Sequence, residues 1–467
     1  MTVVGVDVAT AGVRAFAVGG DGSVRATAAE PLPAPARDES GRSEQDARAW
    51  WPAVESVLRR VTAELAEPVR AVAVSATSGT VVAVDGRGEP LGPALMYDDR
   101  RGADDNAKAA EVGAQRWHEL GMSVSPTAAL GRINWLRRAY PDAAGVRHTP
   151  DLIGEKLLGR PVATDSSHAL KSGYDPLREE WAAEVFDFGV DWLPEVVRPT
   201  TVLGELPRPV AGLPQGCLVV AGMTDGCAGQ LATGAVTPGS FAGILGTTYV
   251  LKGVTEHLVR DPSGAMYSHR HPDGWWLPGG ASNTGGEAVA GGPNLAELDE
   301  AAARRGPARV VAYPLKRPGE RFPFVTPDAR GFVLGEPQDE VELHRARLEG
   351  VAFVERLALE WLRELGVPVT GPLVAAGGGS KSPLWTRIRA TVSGMELRVS
   401  PQAETGYGAA LLAAAAVLPG GLTEAAEMIG EEASVIEPDA AEQEPMEENY
   451  RRFKEELRNR GWLQRQN

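Results

Sequence analysis

The sequence predicts an α/β fold built from two related domains, and three observations support this prediction. Short apolar strands alternate with amphipathic helices along the chain. A strand that ends in a tight turn, GVDVATAG at 5–12, is echoed mid-chain by AGILGTTYV at 242–250. The 467 residues also exceed what one hydrophobic core normally organises. We therefore predict an N-terminal domain at 1–235 and a C-terminal domain at 236–467.

The first domain is predicted to begin with a sheet and a helix that packs on it. Three strands are expected, at 3–8, 13–18 and 24–29, and the turn at 19–22 joins the last two. Apolar residues then recur at helical spacing within 43–63, where Pro52 indicates either a kink or a later helix start. Further strands are expected at 69–74, 81–84, 91–96 and 218–221.

The second domain is predicted to repeat the strand and turn, and its helices are longer. Helices are expected at about 339–365 and 382–393, with a strand at 372–376 between them and a charged final helix at about 443–459. The middle of the chain, about 103–200, mixes helices with polar loops. We expect it to carry substrate-facing insertions.

Composition and charge argue against several classes of binding partner. The net charge of −15 argues against a nucleic-acid or anionic-membrane surface. The apolar stretch at 409–418 is shorter than the roughly 20 residues of a membrane span, and the N-terminus enters a strand without a signal-like segment. Cys217 and Cys227 lack metal-site spacing and are interpreted as reduced structural residues. These features predict a cytoplasmic protein with no nucleic-acid or membrane partner.

Two aspartates at strand ends are candidates for chemistry. Asp7 lies beside the first turn, where a carboxylate can hold Mg²⁺, although such a residue can also simply form the turn. Asp225 follows a strand and precedes a helix, so it could accept a proton from a substrate hydroxyl. A helix N-cap is the alternative for Asp225.

Small and hydroxylated residues in the two echoed turns indicate phosphate binding. Backbone N–H groups can approach an anion closely there, and Thr10, Thr247 and Thr248 add hydroxyl donors. The glycine-rich segment AAGGGSKSPLW at 375–385 offers backbone against which a base or ribose can lie, or it is a plain strand-to-helix turn. It lacks the spacing of the dinucleotide fingerprint and of the P-loop.

The motifs, taken in order, resemble those of the FGGY carbohydrate kinases of the actin-like ATPase superfamily. The resemblance covers nearly the whole chain and rests on seven motifs: GVDVATAGVRA, AVAVSATSGTVVAVDGRGEPLGPALMYDDRR, DLIGEKLLGRPVATDSSHALKSGYD, AGMTDG, ILGTTYVL, LEGVAFVERLALE and AAGGGSKSPLW. It implies two actin-like (ribonuclease H-like) domains, each with a mixed central β-sheet flanked by helices, and an active site in the interdomain cleft. It also implies ATP and Mg²⁺ as cofactors and transfer of the γ-phosphate to a sugar hydroxyl.

The resemblance assigns roles to individual residues. Asp225 would be the catalytic base that accepts the proton of the attacking hydroxyl, and Asp7 would help place the metal. The implied nucleotide-binding residues are Thr10, Arg14, Gly246, Thr247, Thr248, Asn283, Gly377, Gly378, Gly379 and Ser380. The implied sugar-binding residues are Thr77, Ser78, Gly79, Asp99 and Asp225.

Departures from the common family pattern indicate a subgroup. SATSGT stands where xylulose kinases show SGQMHG, so Gly79 takes the place of a sugar-contacting histidine. Ala9 replaces the usual glycine of the first turn, and Tyr97 replaces a tryptophan. Together with SSHALKSGYD and YPLKRPGERFP these segments resemble D-ribulose kinases. The resemblance implies phosphorylation of D-ribulose to D-ribulose 5-phosphate.

Three other functions remain open on the sequence. The chain could be another FGGY kinase, acting on D-xylulose, L-ribulose or a cyclitol. It could be a non-catalytic regulatory protein that binds nucleotide and sugar. A hydrolase using Asp98 and Asp99 is disfavoured, because neighbours in a strand point to opposite faces. The expected partner is a small-molecule sugar, and the protein is expected to be a monomer or homodimer.

Overall fold

The computed structural model describes residues 1–292, 294–430 and 434–463, which form two compact units. The first unit comprises Met1–Val236, His269–Trp275 and Gln402–Gly430. The second comprises 237–268, 276–401 and the described chain from 434 onward. Both units draw on separate stretches of sequence, whereas the expected domains 1–235 and 236–467 are continuous. That division stays a prediction.

Strands and helices alternate along the described chain, as expected for an α/β protein. The strands are β1 (Thr2–Ala9), β2 (Gly12–Gly19), β3 (Val24–Pro31), β4 (Ala36–Arg37), β5 (Ser43–Gln45), β6 (Val69–Ala76), β7 (Val81–Val84), β8 (Ala94–Leu95), β9 (Gly145–His148), β10 (Thr164–Asp165), β11 (Tyr174–Asp175), β12 (Glu180–Trp181), β13 (Val196–Val197), β14 (Val202–Glu205), β15 (Leu218–Val220), β16 (Phe241–Leu245), β17 (Tyr249–Gly253), β18 (Tyr267–Arg270), β19 (Trp276–Ala281), β20 (Val311–Tyr313), β21 (Phe332–Leu334), β22 (Leu373–Ala376), β23 (Leu397–Val399) and β24 (Ser434–Ile436). The helices are α1 (Trp50–Ala63), α2 (Ala103–Val112), α3 (Ala114–Leu120), α4 (Ala129–Ala139), α5 (Thr149–Leu158), α6 (Ser166–Leu170), α7 (Asp225–Ala232), α8 (Leu295–Arg305), α9 (Glu340–Glu364), α10 (Pro383–Ser393), α11 (Thr405–Ala415), α12 (Gly421–Glu427) and α13 (Ala440–Asn459).

The central sheet of the first unit has the strand order β14-β15-β6-β1-β2-β3. β1, β2 and β3 form an antiparallel meander, and β6 joins β1 in parallel. β1 is buried on both faces because its side chains alternate between two layers. Val4, Val6 and Val8 lie in one core cluster with Val54 and Leu58 of α1. The opposite face of β1 packs against α11.

The second unit repeats the arrangement around its own hairpin. Its central sheet contains the order β19-β17-β16-β22-β23-β24. β16 pairs antiparallel with β17 and parallel with β22, as β1 pairs with β2 and β6. The predicted repetition of strand, turn and strand is therefore confirmed. The core of this unit includes apolar residues of β16, β17, α9, α10 and α13.

Proline accounts for the detail of two predicted elements. α1 begins at Trp50, so Pro52 lies in its first turn, where the missing N–H costs no helical hydrogen bond. Of the two predicted alternatives, a kink or a later helix start, the structure has the later start. The strand expected at 91–96 is reduced to Ala94–Leu95, since Pro93 cannot donate to a ladder.

Among the helices of the described segments, none is long and apolar enough to cross a membrane.

Glycines allow α11 to pack directly against its neighbours in the first unit. A Cβ on Gly5 of β1 would lie 2.0 Å from the carbonyl oxygen of Gly406 in α11. A Cβ on Gly408 of α11 would lie 1.8 Å from the carbonyl oxygen of Ala228 in α7. Backbone therefore lies against backbone at both contacts, which leaves no room for a methyl group.

The α11–α7 contact yields a matched pair of glycine substitutions. Gly408→Ala should lower the free energy of unfolding by about 1–3 kcal/mol, because the new methyl group overlaps backbone. Gly229→Ala in α7 should raise it by about 0.5–1 kcal/mol, because helix propensity improves and the nearest atom to its Cβ is 3.7 Å away. Urea denaturation measures both. Equal effects of the two substitutions would contradict this account of the packing.

Candidate active site

Three neighbouring segments of the first unit bring polar residues to one edge of the sheet. Asp7 of β1 lies opposite Ser75 of the parallel strand β6. Ala76 forms a parallel bridge with Thr224, which immediately precedes α7. The carboxyl ends of these segments therefore place Asp7 and Asp225 in one neighbourhood. Asp225 is the first residue of α7, and Thr224 occupies the N-cap position.

Asp7 is a buried carboxylate with one free oxygen. Its side chain is 2% exposed, and its Oδ2 accepts a hydrogen bond of 2.9 Å from Nη2 of Arg14. Within the described part of the chain, its Oδ1 has no hydrogen-bond partner. Burial raises the pKa of Asp7 from 3.8 to about 6, against the effect of Arg14 and with smaller contributions from Asp225 and Glu404. A buried carboxylate oxygen that accepts no hydrogen bond is suited to coordinate a cation.

Arg14, predicted to contact phosphate, is placed between two carboxylates. Cross-strand pairing sets Arg14 opposite Asp7. Its second guanidinium nitrogen, Nη1, lies 2.5 Å from Oε2 of Glu404, the residue before α11. The side chain remains 44% exposed. Sequence reasoning missed Glu404, because nothing in the sequence connects positions 390 residues apart.

The turn between β1 and β2 is held from behind by a buried glutamine. The Nε2 atom of Gln45 donates to the carbonyl oxygens of Thr10 and Pro33, at 2.9 and 2.7 Å. Nε1 of Trp50 donates to Oε1 of Gln45 at 2.9 Å. Thr10 is half-buried. These bonds fix the backbone of the turn while leaving the Thr10 side chain outside the network.

The loop after β6 carries three of the predicted sugar-binding residues. Thr77 and Ser78 are half-buried, and Gly79 has the left-handed φ of +88°. The hydroxyl oxygens of Ser78 and Thr80 are buried and have no hydrogen-bond partner among the described residues. Buried hydroxyl groups without partners are uncommon, and they suit a ligand that supplies hydrogen bonds.

Asp99, another predicted sugar contact, is fully buried and its carboxylate is fully engaged. It accepts hydrogen bonds from the backbone N–H of Ser43 at 2.8 Å and from Nη2 of Arg101 at 2.7 Å. Arg101 also contributes its Nε and backbone N–H. The carboxylate therefore fixes the loop after β8. A direct contact of Asp99 with substrate stays a prediction.

A buried network that sequence reasoning missed supports the start of α7. Oγ of Ser167 accepts a hydrogen bond of 2.9 Å from the backbone N–H of Thr224, and it donates to Asp165 at 2.6 Å. The other oxygen of Asp165 lies 2.5 Å from Nδ1 of His168. Burial opposes the charged imidazole, yet the Asp165 carboxylate raises the pKa of His168. The signal available was the Asp-Ser-Ser-His run, a helix N-cap pattern.

The turn of the second unit is exposed at its tip. Leu245 pairs with Tyr249, and residues 246–248 form the turn, in which the N–H of Gly246 donates to the carbonyl of Thr248 at 3.0 Å. Gly246 and Thr247 are exposed, and Thr248 is half-buried. The backbone N–H groups of 286 and 287 bind the carbonyls of Gly246 and Thr247, at 2.8 and 3.0 Å.

The three glycines after β22 have different surroundings. Gly377 has φ +88°, and a Cβ there would lie 2.6 Å from the carbonyl oxygen of Leu245. A Cβ on Gly379 would lie 2.4 Å from the Leu245 side chain. No described atom lies within 4 Å of a Cβ on Gly378. The first and third glycines are therefore required by packing, while the middle one borders open space.

A buried ion pair that sequence reasoning did not identify joins this segment to the hairpin. The guanidinium of Arg389 binds both carboxylate oxygens of Glu355, at 2.6 and 2.8 Å, and donates to the carbonyl of Gly243 at 2.9 Å. A longer contact of 3.4 Å reaches Oγ of Ser380. The hydroxyl of Tyr249 donates to Glu355 at 3.2 Å. The pair thus connects β16, β17, α9 and α10 behind the exposed turn.

Asn283 belongs to a loop held by a second buried carboxylate. Its Nδ2 donates to the carbonyl of Gly319 at 2.9 Å, and its backbone N–H donates to Oε1 of Glu320 at 2.7 Å. Glu320 also accepts hydrogen bonds from the hydroxyls of Ser282 and Tyr313, both at 2.8 Å. The side-chain amide of Asn283 therefore stabilises the loop through its bond to Gly319. Its contact with nucleotide stays a prediction.

The raised pKa of Asp7 predicts a pH dependence of stability. The folded protein binds the Asp7 proton more tightly than the unfolded chain, so ionisation costs stability as the pH rises from about 4 to about 6. Asp7→Asn removes this cost. In metal-free buffer, the stability of the variant relative to the unmodified protein should therefore rise over that range and level off above it.

Urea denaturation across the pH range measures this difference. Asp21→Asn is the control, because Asp21 is exposed and its hydrogen bonds with Ser23 lower its pKa. Its relative stability should stay level over the same window. An Asp7→Asn difference that does not change with pH would contradict the burial effect.

The chain is similar to carbohydrate kinases along most of its length. Residues 2–232 match the N-terminal domain of the FGGY family of carbohydrate kinases, and residues 215–417 match its C-terminal domain. The xylulose kinase of Streptomyces rubiginosus is 32% identical over 435 residues, which cover 88% of this chain and 87% of that protein. The xylulose kinase of Escherichia coli K12 is 27% identical over 483 residues, covering 97% and 99%.

Solved structures share the fold. The xylulose kinase of Rhodospirillum rubrum superimposes with a TM-score of 0.86 at 26% identity, covering 98% of this chain and 99% of that chain. The Plasmodium falciparum glycerol kinase with ADP gives a TM-score of 0.84 at 15% identity, over 100% and 99% of the two chains. At that identity the likeness concerns the fold alone. The predicted mixed α/β fold of the actin-like class is confirmed.

Proposed function

The chain belongs to the FGGY family of carbohydrate kinases, and from this premise we propose that it phosphorylates D-ribulose. The reaction transfers the γ-phosphate of ATP to the terminal hydroxyl of the ketopentose, giving D-ribulose 5-phosphate and ADP. The acceptor oxygen forms a bond to the γ-phosphorus, while the bond between that phosphorus and the oxygen bridging to the β-phosphate breaks. A base accepts the proton of the acceptor hydroxyl.

Asp225 is the proposed base. Its carboxylate is half-buried at the start of α7, in the neighbourhood of Asp7 and the loop after β6. The Ser167–Thr224 hydrogen bond fixes the backbone that carries it. A rigidly held carboxylate beside the acceptor loop can accept the proton of the attacking hydroxyl without a large rearrangement.

Asp7 is the proposed ligand of Mg²⁺. Its unpartnered buried oxygen fits this role, and Mg²⁺ commonly takes one or two carboxylates together with substrate phosphates and water. No group of three His, Cys, Asp or Glu side chains suited to a metal occurs in the described segments, so the proposed site has one protein carboxylate. An ion held by Asp7 would neutralise part of the charge on the phosphates. Arg14 holds the Asp7 carboxylate in place.

The exposed turn at 246–248 and the glycine-rich segment are the proposed nucleotide contacts of the second unit. Exposed backbone and hydroxyl groups at Gly246 and Thr247 can face phosphate oxygens. The open space at Gly378 allows the adenosine to approach the backbone there. In the first unit, the hydroxyl of Thr10 is the proposed phosphate contact.

The observation that favours D-ribulose is the backbone at Gly79. Its φ of +88° disfavours any residue with a side chain, so a sugar-contacting histidine of the kind expected in xylulose kinases has no place there. D-xylulose is the second candidate, because relatives named xylulose kinase reach 32% identity. The two sugars differ in the configuration of one hydroxyl group.

A panel of acceptors tests the proposal. ADP release should be measured with ATP and Mg²⁺ on D-ribulose, D-xylulose, L-ribulose, ribitol, xylitol and glycerol at matched concentrations. The proposal expects kcat/KM to be highest for D-ribulose, by about tenfold or more over D-xylulose, because one unmatched hydrogen bond costs about 1–3 kcal/mol. Highest turnover on D-xylulose would replace the substrate but keep the reaction. Absence of transfer to every acceptor would contradict the kinase proposal.

Two of the three glycines after β22, Gly377 and Gly378, provide a test of the nucleotide site. Gly378→Ala should raise the Kd for ATP by about tenfold, because the methyl group enters the space in which the adenosine is proposed to bind. The melting temperature should stay unchanged, because that methyl group meets no neighbouring residue in the described chain. Gly377→Ala should lower the melting temperature, since its φ is positive and its Cβ meets backbone. Calorimetric titration and thermal unfolding separate the effects. Unaltered ATP binding by folded Gly378→Ala would contradict the placement.

A further inference from the structure

Arg132 of α4 is a buried cation that bonds to backbone in several loops of the first unit. Its side chain is 1% exposed. Nη2 donates to the carbonyl of Gly79 at 2.7 Å, and Nη1 donates to the carbonyls of Asp99 and Thr127, both at 2.9 Å. A longer contact of 3.4 Å reaches the carbonyl of Tyr97. One guanidinium therefore joins the loop after β6 to the loop after β8.

Within the described segments, this guanidinium binds carbonyl groups and forms no ion pair with a carboxylate. Asp99, whose backbone it binds, directs its own carboxylate to Arg101 and to the N–H of Ser43. Burial lowers the pKa of Arg132 to about 10, although Asp99 and Asp98 act in the opposite direction. Burying a cation in this way is costly, and the cost is offset only when the carbonyl groups stay in position.

Gly79 and Arg132 are matched in shape. A Cβ on Gly79 would lie 3.1 Å from Nη2 of Arg132, and the φ of +88° already disfavours a side chain. The guanidinium thus fills the space beside the glycine. On either side of Gly79, the hydroxyls of Ser78 and Thr80 are buried and, among the described residues, have no hydrogen-bond partner.

We propose that Arg132 is the positioning residue of the acceptor site and that the hydroxyls of Ser78 and Thr80, held in place by it, bind hydroxyl groups of the sugar. This inference rests on the proposed function. Arg132 itself touches no substrate. It fixes the carbonyl of Gly79 relative to the loop of Asp99, so the backbone that carries the two hydroxyls is held in one conformation.

Steady-state kinetics of Arg132→Gln and Arg132→Lys test the proposal, with Arg138→Gln as the control. Arg138 lies in the same helix, is 52% exposed and pairs with Asp105 on the surface. For Arg132→Gln the KM of the pentulose should rise about tenfold or more while the KM of ATP changes less than about twofold. Arg132→Lys should recover part of the loss, because one ammonium group can bind some of the carbonyls. Arg138→Gln should leave all constants unchanged.

Hydrogen exchange of Arg132→Lys without ligands provides a second measurement that needs no turnover. Backbone amides of 77–80 and 97–101 should exchange faster than in the unmodified protein, while those of the turn at 246–248 should not. An unchanged acceptor KM in a folded variant, or an equal rise of both KM values, would overturn the proposal. Uniform acceleration of exchange would overturn it as well. If the unmodified protein phosphorylates no acceptor, the proposed function fails, and the exchange pattern alone decides whether Arg132 positions these loops.

Discussion

The parallel pairing of β1 with β6, continued by the bridge from Ala76 to Thr224, is the constraint on which the candidate site depends. Parallel strands present their carboxyl ends at one edge, so residues far apart in sequence meet there. The pairing brings Asp7 into the neighbourhood of Asp225. On one face of β1, Gly5 allows α11 to approach the strand, and Gly408 allows α7 to approach α11.

Buried polar groups hold the loops of both units from behind. Gln45 and Arg132 bind loop carbonyls in the first unit. In the second unit, Arg389 binds the carbonyl of Gly243 in β16, and its partner Glu355 binds the hydroxyl of Tyr249 in β17, the two strands that flank the exposed turn. Glu320 binds hydroxyl and N–H groups of the loop that contains Asn283. Such support fixes a loop without occupying its outer face, so that face remains available to ligand. Preorganised polar groups of this kind are what phosphoryl transfer needs, because its catalysis is mainly positioning and charge neutralisation.

Local patterns in the sequence were sufficient for the hairpins, for Asp7 near the end of the first strand and for Asp225 at the N-terminus of a helix. For α1 they left a kink and a later start as alternatives, and the structure has the later start. Each depends on neighbours in sequence, where periodicity and turn chemistry act. The supporting residues could not be found in this way. Arg132 and Arg389 lie in helices whose pattern indicates only a buried face, and their partners are 53 and 146 residues away. Asp99 was predicted as a sugar contact from its own segment. The sequence did not indicate that both oxygens of its carboxylate accept hydrogen bonds from Ser43 and Arg101.

The central claim is that Asp225 performs chemistry in a kinase, and Asp225→Asn tests it most directly. Calorimetric titration of ATP and of D-ribulose should be combined with phosphorus NMR of the product mixture. The account predicts binding of both ligands within about threefold of the unmodified protein, together with a loss of phosphoryl transfer of about a thousandfold or more. Transfer at an undiminished rate by the variant would contradict the role of Asp225. Binding without transfer by the unmodified protein would instead indicate a regulatory protein.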